Sequence, residues 1–341
     1  MNLVSRDPQP TRFAIHAIGV LAALVVSGCG GGGRSAAAPP PPPPPPPTGA
    51  GAAAAATANS DTNACSAVRP FYWEIGNADG AIVAGTVLSS GDPKVYTATT
   101  KMGIASASKW FYSTYFVQRT GGALSASDIK FFNFQSGYTS FKMCKPSPTQ
   151  TVQECVDDGT NGLYTAADDG KFSYGGGHME KHASLNGLGD LNNVTLAAEI
   201  RSQVGTDIAL TYVEPQLAGG IATTARDYAT LLQKIVRGDL KMHDALGTHP
   251  VCTNPATCAN AAFTPSPPGE SWHYSIGHWV EDDPGVGDGA FSSPGAFGFY
   301  PWIDRTKTNY GVLARYDLGG AIPSVYCGRL IRKAYATSTP Q

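Results

Sequence analysis

Ile104-Ala105-Ser106-Ala107-Ser108-Lys109 runs without a break into Trp110-Phe111-Tyr112-Ser113-Thr114-Tyr115-Phe116-Val117. The second stretch is apolar and long enough to form a buried helix. A serine and a lysine three apart on a helix share a face, which puts the Lys109 amine within reach of the Ser106 hydroxyl. A free serine hydroxyl is a poor nucleophile, and an adjacent basic group is the usual remedy. Ser127-Asp128-Ile129-Lys130 repeats the spacing. That copy reads as a helix start, with Ser125 or Ser127 as the cap and Asp128 in the first turn. Ser106 instead follows Gly103-Ile104-Ala105, read as the end of an extended buried segment that turns its hydroxyl toward a cleft.

The order of the surrounding segments gives the architecture. Phe71 to Ile75 and Ala81 to Leu88 are β-prone runs joined by Gly76-Asn77-Ala78-Asp79-Gly80, a hairpin signature. Val95 to Thr99 is a further extended stretch. Ser127 to about Leu240 is helix and loop, and Ala296 to Asp304 with Tyr310 to Tyr316 form a second hairpin. A last helix covers Ser324 to Ala336. Strands at both ends with helices between them predict an α+β fold. One antiparallel sheet is built from both chain ends and flanked by helices, with an inserted, mostly helical lobe.

The first sixty residues read differently. Arg6 and Arg12 precede an apolar segment, Ala14 to Val26, that is short for a membrane span. It ends in Val26-Ser27-Gly28-Cys29, which resembles the lipobox of bacterial lipoproteins. The resemblance implies a signal peptide over residues 1–28 and a lipid on Cys29. Residues 29–60, rich in glycine, proline and alanine, are expected to form a tether without a core, leaving a folded domain over 61–337. The implied location is the cell envelope, lipid-anchored, with the membrane met through the lipid.

Of 341 residues, 24 are Lys or Arg and 26 are Asp or Glu, a formal net charge of −2 with no basic stripe. Nucleic-acid binding therefore has no support. With Cys29 set aside, six cysteines remain, and an even number in an exported chain argues for disulfides. Sequence does not choose among the pairings. Proximity suggests Cys144–Cys155 and Cys252–Cys258, leaving Cys65–Cys327.

A serine–lysine pair needs a second proton carrier and donors for a developing oxyanion. Phe172-Ser173-Tyr174-Gly175-Gly176-Gly177 offers Tyr174 at a loop edge, with a phenol pKa expected to fall beside a cationic lysine. Ser292-Ser293-Pro294-Gly295-Ala296-Phe297-Gly298 offers a glycine-bracketed approach of backbone to substrate. There the N–H of Ala296 would join that of Ser106 as oxyanion donors.

These segments, with Gly219-Gly220-Ile221-Ala222-Thr223-Thr224-Ala225-Arg226-Asp227-Tyr228 and Phe299-Tyr300-Pro301-Trp302-Ile303-Asp304, resemble the class C β-lactamase superfamily, including family VIII carboxylesterases and nylon-oligomer hydrolases. The resemblance covers most of residues 70–335 and implies a β-lactamase/transpeptidase-like fold. It implies an acyl-enzyme on Ser106, with Lys109 and Tyr174 as proton carriers and Ser293, Gly295 and Ala296 as the third motif and oxyanion hole. Two positions depart from the pattern. Gly176 stands where an asparagine is common, and Ser293 stands where a lysine or histidine usually engages a substrate carboxylate. Both departures favour a neutral small-molecule ester or short amide over a β-lactam or D-alanyl peptide. The alternatives are a β-lactamase or D-alanyl-D-alanine carboxypeptidase, or a non-catalytic envelope-binding protein.

No metal or cofactor is expected. His178-Met179-Glu180-Lys181-His182 sets two histidines four apart, but Glu180 is one place late for a zinc hydrolase. The stretch reads as a partly exposed helix. His273 and His278, beside Trp272 and Trp279, read as cleft lining or core strand.

Overall fold

The computed structural model describes residues 49–341. The leader, Cys29 and the tether as far as residue 48 lie outside the described residues.

The chain begins with α1 (Ala50–Ala58), then β1 (Phe71–Asn77), β2 (Gly80–Val87) and β3 (Met102–Gly103). Next come α2 (Ser108–Arg119), α3 (Ala126–Phe132), α4 (Val152–Val156), β4 (Phe172–Ser173), α5 (Gly177–Ala183) and α6 (Asn193–Val204). Then follow β5 (Leu210–Tyr212), β6 (Ile221–Thr223), α7 (Ala225–Val236) and α8 (Met242–Ala245). The rest is β7 (Val251–Cys252), β8 (Ala261–Phe263), β9 (His273–Ser275), β10 (His278–Glu281), β11 (Ala290–Ser292), β12 (Tyr300–Ile303), β13 (Asn309–Ala314) and α9 (Ala321–Thr337).

The main sheet has the order β2-β1-β13-β12-β11-β10-β9-β7 and is antiparallel throughout. The first hairpin joins the last through β1 and β13, with Trp73 opposite Leu313 and Ile75 opposite Gly311. The α+β fold with a sheet drawn from both chain ends is thus present, and helices α3 to α6 lie in the inserted stretch. Four of its strands, β7 and β9 to β11, come from residues that the pattern of apolar runs did not mark. Val95 to Thr99, expected to be extended, forms no strand. The pairing there belongs to β3, which joins β6 and β5 in a small second sheet.

Helix α2 is the central element: every residue from Ser108 to Val117 is buried. Helix α7 covers it at one end, where the Tyr228 hydroxyl donates to the Ala107 carbonyl at 2.9 Å. The Thr224 side chain caps α7 on the Asp227 N–H, satisfying a donor that the helix leaves open. Helix α9 is fixed to the sheet by buried charges. Arg332 meets Glu281 at 2.9 Å and Asp288 at 2.7 Å, and Arg329 meets Glu270 at 2.9 Å. Buried pairs of this kind are weak evidence of added stability; here they join α9 to β10 and to the segments before β9 and β11.

Six cysteines stand in the pairs Cys65–Cys327, Cys144–Cys155 and Cys252–Cys258, with Cα separations of 4.5, 5.1 and 6.2 Å.

The tether reading fails over its last residues. Ala50 to Ala58 is a helix that buries Ala53, Ala54 and Ala58 and packs along α9. Alanine is the strongest helix former, and its methyl group lets two helix axes come close. The Gln341 N–H donates to Thr57 Oγ1 at 2.9 Å, tying this helix to the chain's last residue. Residues 50–58, expected to be tether, therefore belong to the folded body with the residues from 61 onward.

Candidate active site

Ser106 sits in a single 3₁₀ turn, Ala105–Ala107, between β3 and α2. Ala105 holds φ at 44°, a conformation that residues with a side chain rarely adopt. Strain of this kind clusters at functional sites. The turn is fixed from both sides. The Ile104 N–H donates to the Ile221 carbonyl at 3.0 Å, and the Ser293 hydroxyl donates to the Ser106 carbonyl at 3.1 Å.

Lys109 lies in the first turn of α2 and is 4 % exposed. Its Nζ donates to Ser106 Oγ at 2.9 Å and to the Ala218 carbonyl at 2.8 Å. Burial lowers its pKa to about 7, opposed by the nearby Glu180 carboxyl. An amine in this state is a competent proton acceptor at neutral pH.

Tyr174 follows β4, and its ring lies with its centroid 4.8 Å from Lys109 Nζ. Burial pushes its phenol up to about 12, against the opposing pull of Ser106 and Trp279. The expected fall is reversed for a physical reason. The amine stands over the ring face and is itself only about half protonated near pH 7, so desolvation wins.

Ser293 directly follows β11, and Gly295 seals the approach between this loop and the Ser106 turn. A Cβ on residue 295 would collide with the Ile104 carbonyl oxygen. Ala296 lines the same cavity as Ser106 and Tyr174, and among the described residues its N–H has no protein acceptor. The cavity, about 130 Å³, is walled by Pro265, Trp272, Trp279, Pro294, Ala321 and Ile322. None of its lining residues is charged.

Gly176 is glycine for a steric reason. Phe141 covers it, and a Cβ there would lie 2.7 Å from the ring. The space an asparagine side chain would take is filled by an aromatic ring.

The second serine–lysine spacing is not a site. Ser125, not Ser127, caps α3 in a capping box with Asp128, and Lys130 is paired with Asp169 at 2.6 Å. Ser127 is exposed in the first turn. Ser108, beside Ser106, is fully buried and accepts the Ile221 N–H at 3.1 Å.

The helix carrying His178 and His182 is buried, not partly exposed. His178 lies between Ser136 Oγ at 2.7 Å and the Ser173 carbonyl at 3.0 Å. His182 lies between the Tyr112 hydroxyl at 2.7 Å and Asp128 at 3.0 Å. Both rings have both nitrogens engaged, so neither offers a lone pair to a metal. His278 is core strand, stacked on Trp110, and half-buried His273 pairs with Asp282 at 2.8 Å.

Sequence reasoning missed three contributors. Trp279 stacks on Tyr174 with ring centroids 5.2 Å apart, and the start of α9 supplies Ala321 and Ile322. Ala218 supplies the carbonyl that seats Lys109. A backbone acceptor leaves no trace in residue type, but the flanking Gln216-Leu217-Ala218-Gly219-Gly220 turn was visible as a glycine pair before β6.

No protein-family model and no curated protein sequence matches the chain. Solved structures do. D-amino acid amidase from Ochrobactrum anthropi SV3 is 13% identical, with a TM-score of 0.56 over 80% of this chain and 96% of that one. The octameric penicillin-binding protein homologue from Pyrococcus abyssi is 14% identical, with a TM-score of 0.55 over 80% of this chain and 74% of that one. A β-lactamase from Mycobacterium bovis is 11% identical, with a TM-score of 0.51 over 80% of this chain and 96% of that one. The overall fold is thus shared across sequences this distant: the chain has the serine β-lactamase-like fold.

Proposed function

We propose that the protein is a serine hydrolase that cleaves neutral carboxylic esters or short amides through an acyl-enzyme on Ser106. The observation that carries this reading is the buried Lys109 amine at 2.9 Å from Ser106 Oγ, its pKa lowered to about 7. As Oγ attacks the substrate carbonyl carbon, Lys109 takes its proton, and the N–H groups of Ser106 and Ala296 receive the oxyanion. Tyr174, held protonated, gives its proton to the leaving alcohol or amine and regains one from the Lys109 ammonium. Water then attacks the acyl carbon, giving its proton back along the same route, and the acid departs with Ser106 restored.

The uncharged cavity supports a neutral, compact acyl group. Without a cation at residue 293, a substrate carboxylate would meet no opposite charge there. The lipid anchor on Cys29 is proposed on the same footing, holding the hydrolase at the cell envelope.

The test is a panel of short-chain esters, amides, a β-lactam and a D-alanyl peptide, run on wild type and Ser106→Ala. Ester or amide turnover lost in the variant is expected. Turnover confined to the lactam or the peptide would reassign the substrate class, and turnover unchanged in Ser106→Ala would remove the nucleophile.

A further inference from the structure

The helix after Tyr174 carries a carboxyl group that the reaction just described leaves unused. Glu180 lies in α5 and is fully buried. Its Oε1 accepts the Ala218 N–H at 3.1 Å, and the Leu217 N–H is a further backbone partner. Its Oε2 has no hydrogen-bond partner among the described residues. The carbonyl of that same Ala218 is the second acceptor of Lys109 Nζ, at 2.8 Å. A single residue therefore holds the Glu180 carboxyl on its amide side and the Lys109 amine on its carbonyl side. Both peptide dipoles point in the sense that favours a carboxylate at one end and an ammonium at the other.

A carboxyl with a bare oxygen is a costly way to fill a core, where an apolar side chain would serve. A carboxyl kept there points to a use beyond packing. The titratable groups around it are few. Lys109 and Tyr112 face it from α2, Tyr212 from β5 and Glu214 from the segment after β5. His178 and His182, on its own helix, have both ring nitrogens engaged elsewhere. Among these neighbours Lys109 is the cation. Burial pushes Glu180 up to about 8, and the backbone donors and Lys109 pull it down.

We infer that Glu180 is a positioning residue for Lys109: it fixes the Leu217–Ala218 backbone that seats the amine, and its charge sets how readily that amine takes a proton. This rests on the proposal that Lys109 is the base for Ser106. A negative charge nearby favours the ammonium form. Removing it lowers the pKa of Lys109 and moves the acid limb of Ser106 reactivity to lower pH.

The experiment follows the rate of Ser106 phosphonylation by a fluorophosphonate against pH, in wild type and Glu180→Gln. Glutamine keeps an acceptor oxygen for Ala218 and loses the charge. The expected result is an acid limb displaced downward by less than the roughly one unit that a permanent opposite charge produces, because Glu180 is itself largely protonated where Lys109 titrates. The reciprocal measurement uses ¹³C-labelled glutamate in the folded protein. The Glu180 carboxyl should titrate higher in Lys109→Met than in wild type. It also decides the matter if Glu180→Gln does not fold. Coincident acid limbs, or a Glu180 titration indifferent to Lys109→Met, would overturn the inference while leaving Ser106 as nucleophile. A wild type unlabelled at every pH would instead remove the Ser106 reading, and this inference with it.

Discussion

The Phe141 ring stands over Gly176, so close that a Cβ on residue 176 would lie 2.7 Å from it. The two positions are one steric decision: ring and side chain cannot both be present. Gly176→Asn alone is expected to destabilise the fold by about 1–3 kcal/mol, the range for overpacked sites. Phe141→Ala in the same chain should recover part of that loss. Urea unfolding of the two single variants and the double variant measures the coupling. Additive effects would mean the ring does not hold the position closed.

The state of Lys109 sets a pH dependence. A base must be neutral to accept a proton, and burial lowers this amine to about 7. Hydrolysis of a neutral ester should therefore fall as pH drops through about 7 and plateau above it. Tyr174 adds no loss below its own deprotonation, at about 12. The kcat/KM profile checks both limbs. An acid limb near the ordinary carboxylate range would place the base elsewhere.

Ser293 bonds the carbonyl of Ser106, the proposed nucleophile, at 3.1 Å. Ser293→Ala removes a neutral hydrogen bond of about 1 kcal/mol, which corresponds to a fivefold to tenfold slower acylation, on the order of magnitude. The fold should survive, since the strand register rests on the bonds of β11 with β10 and β12. Stopped-flow acylation of wild type and variant reads the effect, and equal rates would deny Ser293 a role in positioning the turn.

Helix α1 makes a stability claim that concerns how the protein is prepared. A chain starting at residue 61 loses three buried alanine methyl groups and the Thr57 bond to Gln341. At ~0.8 kcal/mol per buried carbon, the loss is about 2–3 kcal/mol. A chain starting at residue 49 should match the longer protein in its denaturant midpoint, and one starting at 61 should not. Equal midpoints for all three would mean α1 adds nothing.

Much of this was legible in the sequence because it was written in residue type. The two hairpins carry their turn residues, α2 its unbroken apolar run, and Ser106 and Lys109 their helical spacing. Strands β9 to β11 were not legible, for they are three or four residues long. Turns interrupt them: Ile276 and Gly277 both hold positive φ between β9 and β10. Helix α1 was misread because alanine and glycine are also the composition of a linker, and what decides between them is a partner surface at the far end of the chain, on α9. Glu180 was weighed only against a metal motif. Its place beside Ala218 depends on a loop from another part of the chain.

The central claim is that Ser106 is an activated nucleophile, and intact-mass labelling with a fluorophosphonate tests it most directly. Residues 49–341 of wild type, Ser106→Ala and Ser127→Ala would be treated alike, with the disulfides intact. A single adduct on wild type and Ser127→Ala, absent from Ser106→Ala, is the expected result. A folded wild type that takes no adduct, or a Ser106→Ala variant that still does, would contradict it.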